Sequence, residues 1–204
     1  MAHIELSQFS THGTSDNIFT ANLTLDPTVK DTIIRTIKDG GDKQHGTESV
    51  QALMTNYFMQ KEPGFVELEE EITSIVNYLP NIFWKNRGAH PIVEISAMWG
   101  LLYKKNDYCN VHSHWPSIWS GVFYLDIPTD YAGTLFFPEL EHHIEPITGQ
   151  LVIFSGVTMH GVKTIQSNGE RLAISFNYHN MVGENRLPMM IAGSRSLSGE
   201  DSEE

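Results

Sequence analysis

From His90 to Tyr178 the chain reads as a succession of short β-rich segments parted by turn residues, and this alternation constrains the fold more than any other feature. The segments are Pro91 to Tyr103 (one strand or a pair), Trp119 to Leu125, Thr134 to Phe137, Gln150 to Phe154, Gly161 to Ile165 and Arg171 to Tyr178. Turns fall at Pro128 to Asp130, Tyr131 to Gly133, Thr148-Gly149 and Ser167-Asn168-Gly169. Many short strands with regular turns predict a sandwich or barrel.

Helices precede this β core. Asn17 to Leu25 alternates like a strand, and Asp26-Pro27 then opens a helix in which Val29, Ile33, Ile34 and Ile37 recur at helical spacing until Gly40-Gly41. A second helix carries the stripe Val66, Leu68, Ile72, Ile75, Val76 and Leu79. Its first turns hold Glu67, Glu69, Glu70 and Glu71, which complement the helix dipole, and Pro80 is expected to break or kink its end. Between the helices, Leu53, Met54, Tyr57 and Phe58 form an apolar segment that suits a helix or a lid. The organisation expected is one domain over residues 1–192, with a β core at about 90–180, and an acidic, solvated tail at 193–204.

The 204 residues carry a formal net charge of −12, a field that repels nucleic-acid phosphates, so nucleic acid is not an expected partner. No apolar run reaches the roughly 20 residues of a membrane span, and the start resembles no secretory signal, so a cytoplasmic, membrane-free protein is expected. Cys109 is the single cysteine, which excludes an internal disulfide, and no nucleophile motif surrounds it.

Of the ten histidines, His112, His114, His142, His143, His160 and His179 fall in the β region. In Asn110-Val111-His112-Ser113-His114-Trp115-Pro116 the two histidines are at i and i+2, so on extended backbone both imidazoles face one point. Imidazole suits Fe, Zn, Cu and Ni. Alone, the pair reads more often as two partly exposed strand-end histidines. His160 adds to it: the turn at Gly149 feeds the apolar strand Leu151-Val152-Ile153-Phe154, and a short loop then delivers His160 to the next strand. Arg171 opens the following strand, Arg171 to Tyr178. An arginine facing a barrel interior is costly unless it meets an anion, and its planar fork suits a carboxylate. On the rim it would instead pair with a surface acid.

In this order the features resemble the Fe(II)/2-oxoglutarate oxygenases. His112-Ser113-His114-Trp115-Pro116, Ser120 to Leu125, Leu151 to Phe154 and Arg171 to Asn177 are similar, more narrowly, to the small 2OG-Fe(II) oxygenases of marine bacteria and their phages. The resemblance implies a double-stranded β-helix (a jelly-roll, cupin-like barrel) with N-terminal helices. It also implies a dioxygenase that uses Fe(II) and 2-oxoglutarate to oxidise a small molecule or protein side chain. A homodimer is one assembly consistent with it. His112 and His160 are then iron ligands and Arg171 clamps the distal carboxylate of 2-oxoglutarate. Tyr103 and Tyr124 stand where related enzymes place a tyrosine on the cosubstrate, though core packing explains them equally; Asn110 and Asn177 are candidates to orient ligands.

One position departs from that pattern. The superfamily's usual triad is two histidines and a carboxylate, and His114 occupies the carboxylate position. Three outcomes are open: His114 ligates, it turns away, or Glu139 or Asp107 substitutes. Ligation is the expectation, because the i, i+2 geometry already aims it. His142 and His143 are read as loop residues on the surface or substrate side, and His179 as structural. Trp99, Trp115 and Trp119 are expected to pack the core and line the barrel mouth, where they can also cradle an apolar substrate. Two other classes share the barrel: a three-histidine metal enzyme that does not use 2-oxoglutarate, and a non-catalytic binding barrel.

Overall fold

The computed structural model describes residues 3–11, 14–40, 49–83, 92–130 and 132–180. The expected tail at 193–204 lies outside them. In chain order the elements are β1 (His3–Thr11), β2 (Thr14–Asn22), α1 (Pro27–Gly40), β3 (Val50–Gln51), β4 (Leu53–Met54), α2 (Phe65–Phe83), β5 (Val93–Tyr103), β6 (Tyr108–His112), β7 (Trp119–Asp126), β8 (Leu135–Phe137), β9 (His142–Ile144), β10 (Gln150–Ser155), β11 (His160–Val162) and β12 (Arg171–Asn180).

The strands form a seven-stranded sheet, β1-β2-β10-β7-β12-β5-β4, facing a five-stranded sheet, β3-β6-β11-β8-β9. This is the two-sheet architecture expected, with the helices on the outer face of the larger sheet. Its central strands are apolar on both sides because both sides are covered. On β10, Leu151 and Ile153 join the helix-side core while Val152 and Phe154 face the other sheet. On β7, Phe123 and Leu125 point to the helices and Val122 and Tyr124 point inward. The same alternation puts Met98 and Leu102 of β5 outside and Trp99, Leu101 and Tyr103 inside. Ile33 and Ile37 of α1 and Phe65, Leu68, Ile72, Val76 and Leu79 of α2 fill the outer core.

Several elements differ from the sequence expectation. The first strand is preceded by β1, to which β2 pairs antiparallel from His3↔Asn22 to Thr11↔Thr14. The apolar stretch at Leu53 to Phe58 is neither helix nor lid. It supplies β4 to the edge of the large sheet and leads into a 3-10 turn at Met59–Lys61. Pro80 does not end α2, which runs to Phe83. Residues Pro91 to Tyr103 contain one long strand, and β11 stops at Val162 rather than Ile165. The tryptophans part company: Trp99 is in the inner core, Trp119 packs edge-on against Phe19 in the outer core, and Trp115 is 74% exposed. No helix among the described residues is long and apolar enough to cross a membrane.

The helix-side core makes a direct prediction. Leu68→Ala removes a fully buried side chain and is expected to cost about 2–5 kcal/mol of unfolding free energy. Glu71→Ala, on the exposed face of the same helix, leaves the urea midpoint essentially unchanged.

Candidate metal centre and anion pocket

His112 ends β6 and His160 opens β11, and antiparallel pairing sets the two directly opposite each other. Directly opposed residues have neighbouring side chains, and the two ring centroids are 4.5 Å apart. His114 lies two residues beyond the strand end, in a loop held at both sides. Its N–H donates to the Gly156 carbonyl at 2.7 Å and its carbonyl accepts from Ser117 N–H at 2.8 Å. These bonds bring its ring to 4.9 Å from His112 and 5.1 Å from His160. One ligating atom from each of the three lies within 4.8 Å of the others.

Backbone carbonyls orient two of these rings. The His112 Nδ1 is 2.8 Å from the Asn110 carbonyl and the His160 Nδ1 is 2.9 Å from that of Thr158. A carbonyl can only accept, so each Nδ1 carries the proton and each Nε2 keeps a lone pair for a metal. Burial pulls His160 down to about 3, with His112 adding to the effect. Burial also lowers His112 and, helped by both neighbouring imidazoles, puts His114 well below the ordinary histidine value. All three are therefore neutral near pH 7, the state a metal requires. Such a donor set suits Fe, Zn, Cu or Ni.

Arg171, only 1% exposed, opens onto the same cavity as the three histidines. It stands opposite Tyr103 in the β12–β5 register. Its guanidinium lies 5.0 Å from the Tyr103 ring and 5.1 Å from the Tyr124 ring. Nη1 donates to the carbonyls of Gly133 at 2.7 Å and Ala132 at 3.1 Å. Its Nε has no partner, and neither has the Tyr124 hydroxyl. No carboxylate among the described residues pairs with this charge. A buried cation with an unused donor, beside an unused hydroxyl, is a fit for a carboxylate ligand. Burial pushes Tyr124 up to about 12, with Arg171 acting in the opposite direction, and raises Tyr103 further. Both phenols therefore remain protonated donors.

The other sequence candidates fall into place around this centre. Asn110 contributes through its backbone: its side chain is exposed, and the carbonyl is what holds His112. Asn177 accepts from Ser120 Oγ at 2.6 Å through its side chain and supports the β7–β12 pair. Neither Glu139 nor Asp107 joins the histidine cluster; Glu139 is exposed in a 3-10 turn, and Asp107 accepts from Lys104 N–H at 2.8 Å. His142 and His143 lie on β9 rather than in a loop, and they too stay outside the cluster. His179 is half-buried opposite Glu94. Burial pushes the Cys109 thiol up to about 12, which leaves it protonated and a poor nucleophile.

The sequence reading did not single out Gly156. A Cβ there would meet the Ser117 carbonyl oxygen at 2.0 Å. Only glycine lets the loop before β11 approach the His114 loop closely enough for their backbone bond. The signal was present as a glycine four residues before His160, but nothing in sequence alone tells which backbone it approaches.

Among solved structures the fold is similar to a viral collagen prolyl hydroxylase of Paramecium bursaria Chlorella virus-1 in complex with 2OG. The TM-score is 0.60 at 17% identity, over 79% of this chain and 94% of that one. A prolyl-4-hydroxylase of Pseudomonas putida matches with a TM-score of 0.59 at 14% identity, over 80% and 92% of the two chains. The α-ketoglutarate-dependent epimerase SnoN of nogalamycin biosynthesis matches with 0.59 at 14% identity, over 81% and 78%. The architecture is thus the double-stranded β-helix of the 2OG-Fe(II) oxygenases. In sequence, no family model and no curated protein matches the chain.

The histidine environment predicts an acid-sensitive apoprotein. Histidine in the unfolded chain titrates near 6.5 and folded His160 near 3. Between these values the unfolded chain binds more protons, so stability rises with pH across that window. The metal-free protein is expected to lose unfolding free energy steadily as pH falls from 6.5 toward 3. His160→Gln should flatten part of that slope in denaturant titrations run across the same pH range.

Proposed function

We propose that the chain is an Fe(II)- and 2-oxoglutarate-dependent dioxygenase that oxidises, by hydroxylation, a C–H bond of a small molecule or a protein side chain. His112, His114 and His160 hold the metal, and Arg171, Tyr103 and Tyr124 hold the distal carboxylate of the cosubstrate. The single observation that carries this reading is the buried Arg171, with an unused donor, in the same cavity as the three histidines. A metal enzyme with no anionic cosubstrate has no need of an inward cation there.

When bound, the iron would supply the oxidising power from O2, one oxygen atom of which would enter succinate as 2-oxoglutarate loses CO2 and the other the substrate C–H bond. The chain's own residues do the positioning. The Asn110 and Thr158 carbonyls fix the tautomers of His112 and His160. Gly133 and Ala132 carbonyls hold one edge of the guanidinium and leave Nε for the ligand. Tyr124 stays protonated to donate, and Val122, Leu135, Phe154 and Val162 form apolar walls that keep water from the reacting centre.

The class of substrate is supported more broadly. The net charge of −12 disfavours nucleic acid. One structure of the same fold, a prolyl hydroxylase of Trichoplax adhaerens, is in complex with a peptide fragment. A small molecule or a protein side chain is therefore the substrate class proposed. His114 at the usual carboxylate position favours a second reading, a three-histidine enzyme that does not use 2-oxoglutarate.

Anaerobic titration of the apoprotein with Fe(II) and 2-oxoglutarate separates the two readings. The expected result is the visible charge-transfer band of the chelate, abolished in His160→Ala. Arg171→Ala should raise the cosubstrate Kd by about tenfold or more while metal affinity is retained. His114→Asp, which restores two histidines and a carboxylate, should keep iron. A protein that binds Fe(II) but shows no 2-oxoglutarate-dependent band belongs to the second reading.

A further inference from the structure

Trp99, Leu101 and Tyr103 occupy alternate positions of β5 and all line the cavity. Tyr103 marks the Arg171 end of this wall. Trp99 stands four residues back along the same face, beside the metal-ligand cluster. Its ring is edge-on to His114 with centroids 5.8 Å apart, and edge-on to Tyr57 at 5.2 Å. The residue is 5% exposed, yet its indole N–H has no hydrogen-bond partner among the described residues.

Packing does not account for an indole here. Phenylalanine would make similar ring contacts with His114 and Tyr57 without burying a donor, and a buried indole N–H ordinarily finds an acceptor. None of the neighbouring imidazoles accepts from it: Nδ1 of His112 and His160 already donates to carbonyls, and one nitrogen of each of the three histidines faces the others across the cluster. Two residues lining the cavity therefore carry an unused buried donor, Arg171 at Nε and Trp99 at Nε1. 2-Oxoglutarate carries acceptor oxygens at both ends.

We infer that Trp99 is a positioning residue whose indole N–H binds an oxygen at the 2-oxo-acid end of 2-oxoglutarate, beside His114. The inference rests on the cosubstrate reading above. Arg171 fixes one end of the molecule and Trp99 fixes the orientation of the other, so that the 2-oxo acid faces the histidine cluster in a single pose.

The test uses the zinc-loaded full chain, which is diamagnetic, with 2-oxoglutarate as the probe. The Trp99 indole N–H resonance, assigned as the one lost in Trp99→Phe, should move downfield and exchange more slowly with solvent on addition of 2-oxoglutarate. Trp99→Phe should raise the 2-oxoglutarate Kd by about tenfold, while the protein still folds cooperatively and still takes up zinc. Arg171→Ala should also weaken binding, while leaving the free-state Trp99 resonance in place. If 2-oxoglutarate binds in an Arg171-dependent way but the Trp99 resonance does not move, the inference is overturned and the oxygenase reading stands. If 2-oxoglutarate does not bind at all, both fall. Should Trp99→Phe fail to fold, the shift of the wild-type indole resonance that follows Trp99, read by selective labelling, decides the question.

Discussion

Strand register is the constraint on which this site depends. The pairing of β6 with β11 sets His160 against His112, and the pairing of β12 with β5 sets Arg171 against Tyr103. A slip of one residue would turn every side chain of the slipped strand to the opposite face. Arg171 would then point into the helix-side core, among Leu172, Ile174 and Phe176, where burial of an unpaired charge is most costly. Register is thus held by the two-sided burial of the large sheet, because each strand has one correct set of residues for each core. The helices matter to the site for this reason, although neither contributes a residue to it.

The charge balance inside the barrel is opposite to that of the whole chain. Three neutral imidazoles and one arginine leave the cavity with a positive charge before any metal enters, while the chain as a whole carries −12. The two do not conflict. Surface charges are screened over a Debye length of about 8 Å at physiological ionic strength, whereas the buried pair of metal and guanidinium acts through a medium of low dielectric. A histidine at the position of the usual carboxylate raises this positive charge by one relative to a two-histidine, one-carboxylate centre. A divalent metal held this way is more electron-poor and draws a dianion more strongly. The proposed cosubstrate is such a dianion.

How much of this was legible in the sequence depended on whether a side chain or the backbone does the work. The long apolar strands were readable, since Leu151 to Phe154 and Trp119 to Leu125 are buried on both faces and show it in composition. The short ones were not: β9 is three residues, two of them histidines, and β6 carries Asn110 and a lone cysteine between tyrosine and histidine. Neither has enough periodicity to separate a strand from a turn. At the site, His112, His114, His160 and Arg171 could be named because their chemistry lies in side chains at telling positions. The carbonyls of Asn110, Thr158, Ala132 and Gly133 could not, because every residue has one and only the fold aims it. Asn110 shows the difference: a candidate to orient ligands, it does so through its main-chain carbonyl.

That division explains why His114 is the most informative residue of the site. His112 and His160 are positioned by a ladder of strand hydrogen bonds, so their place follows once the sheets form. His114 is positioned by two loop bonds, to Gly156 and Ser117, and no carbonyl among the described residues fixes the tautomer of its ring. Its orientation is set instead by the indole edge of Trp99 and by the two other imidazoles. The third imidazole of the cluster thus depends on loop bonds and ring contacts and not on the sheet. A carboxylate at position 114 would therefore change the charge of the cluster without touching the β6–β11 ladder that holds His112 and His160 or the β12–β5 register that holds Arg171.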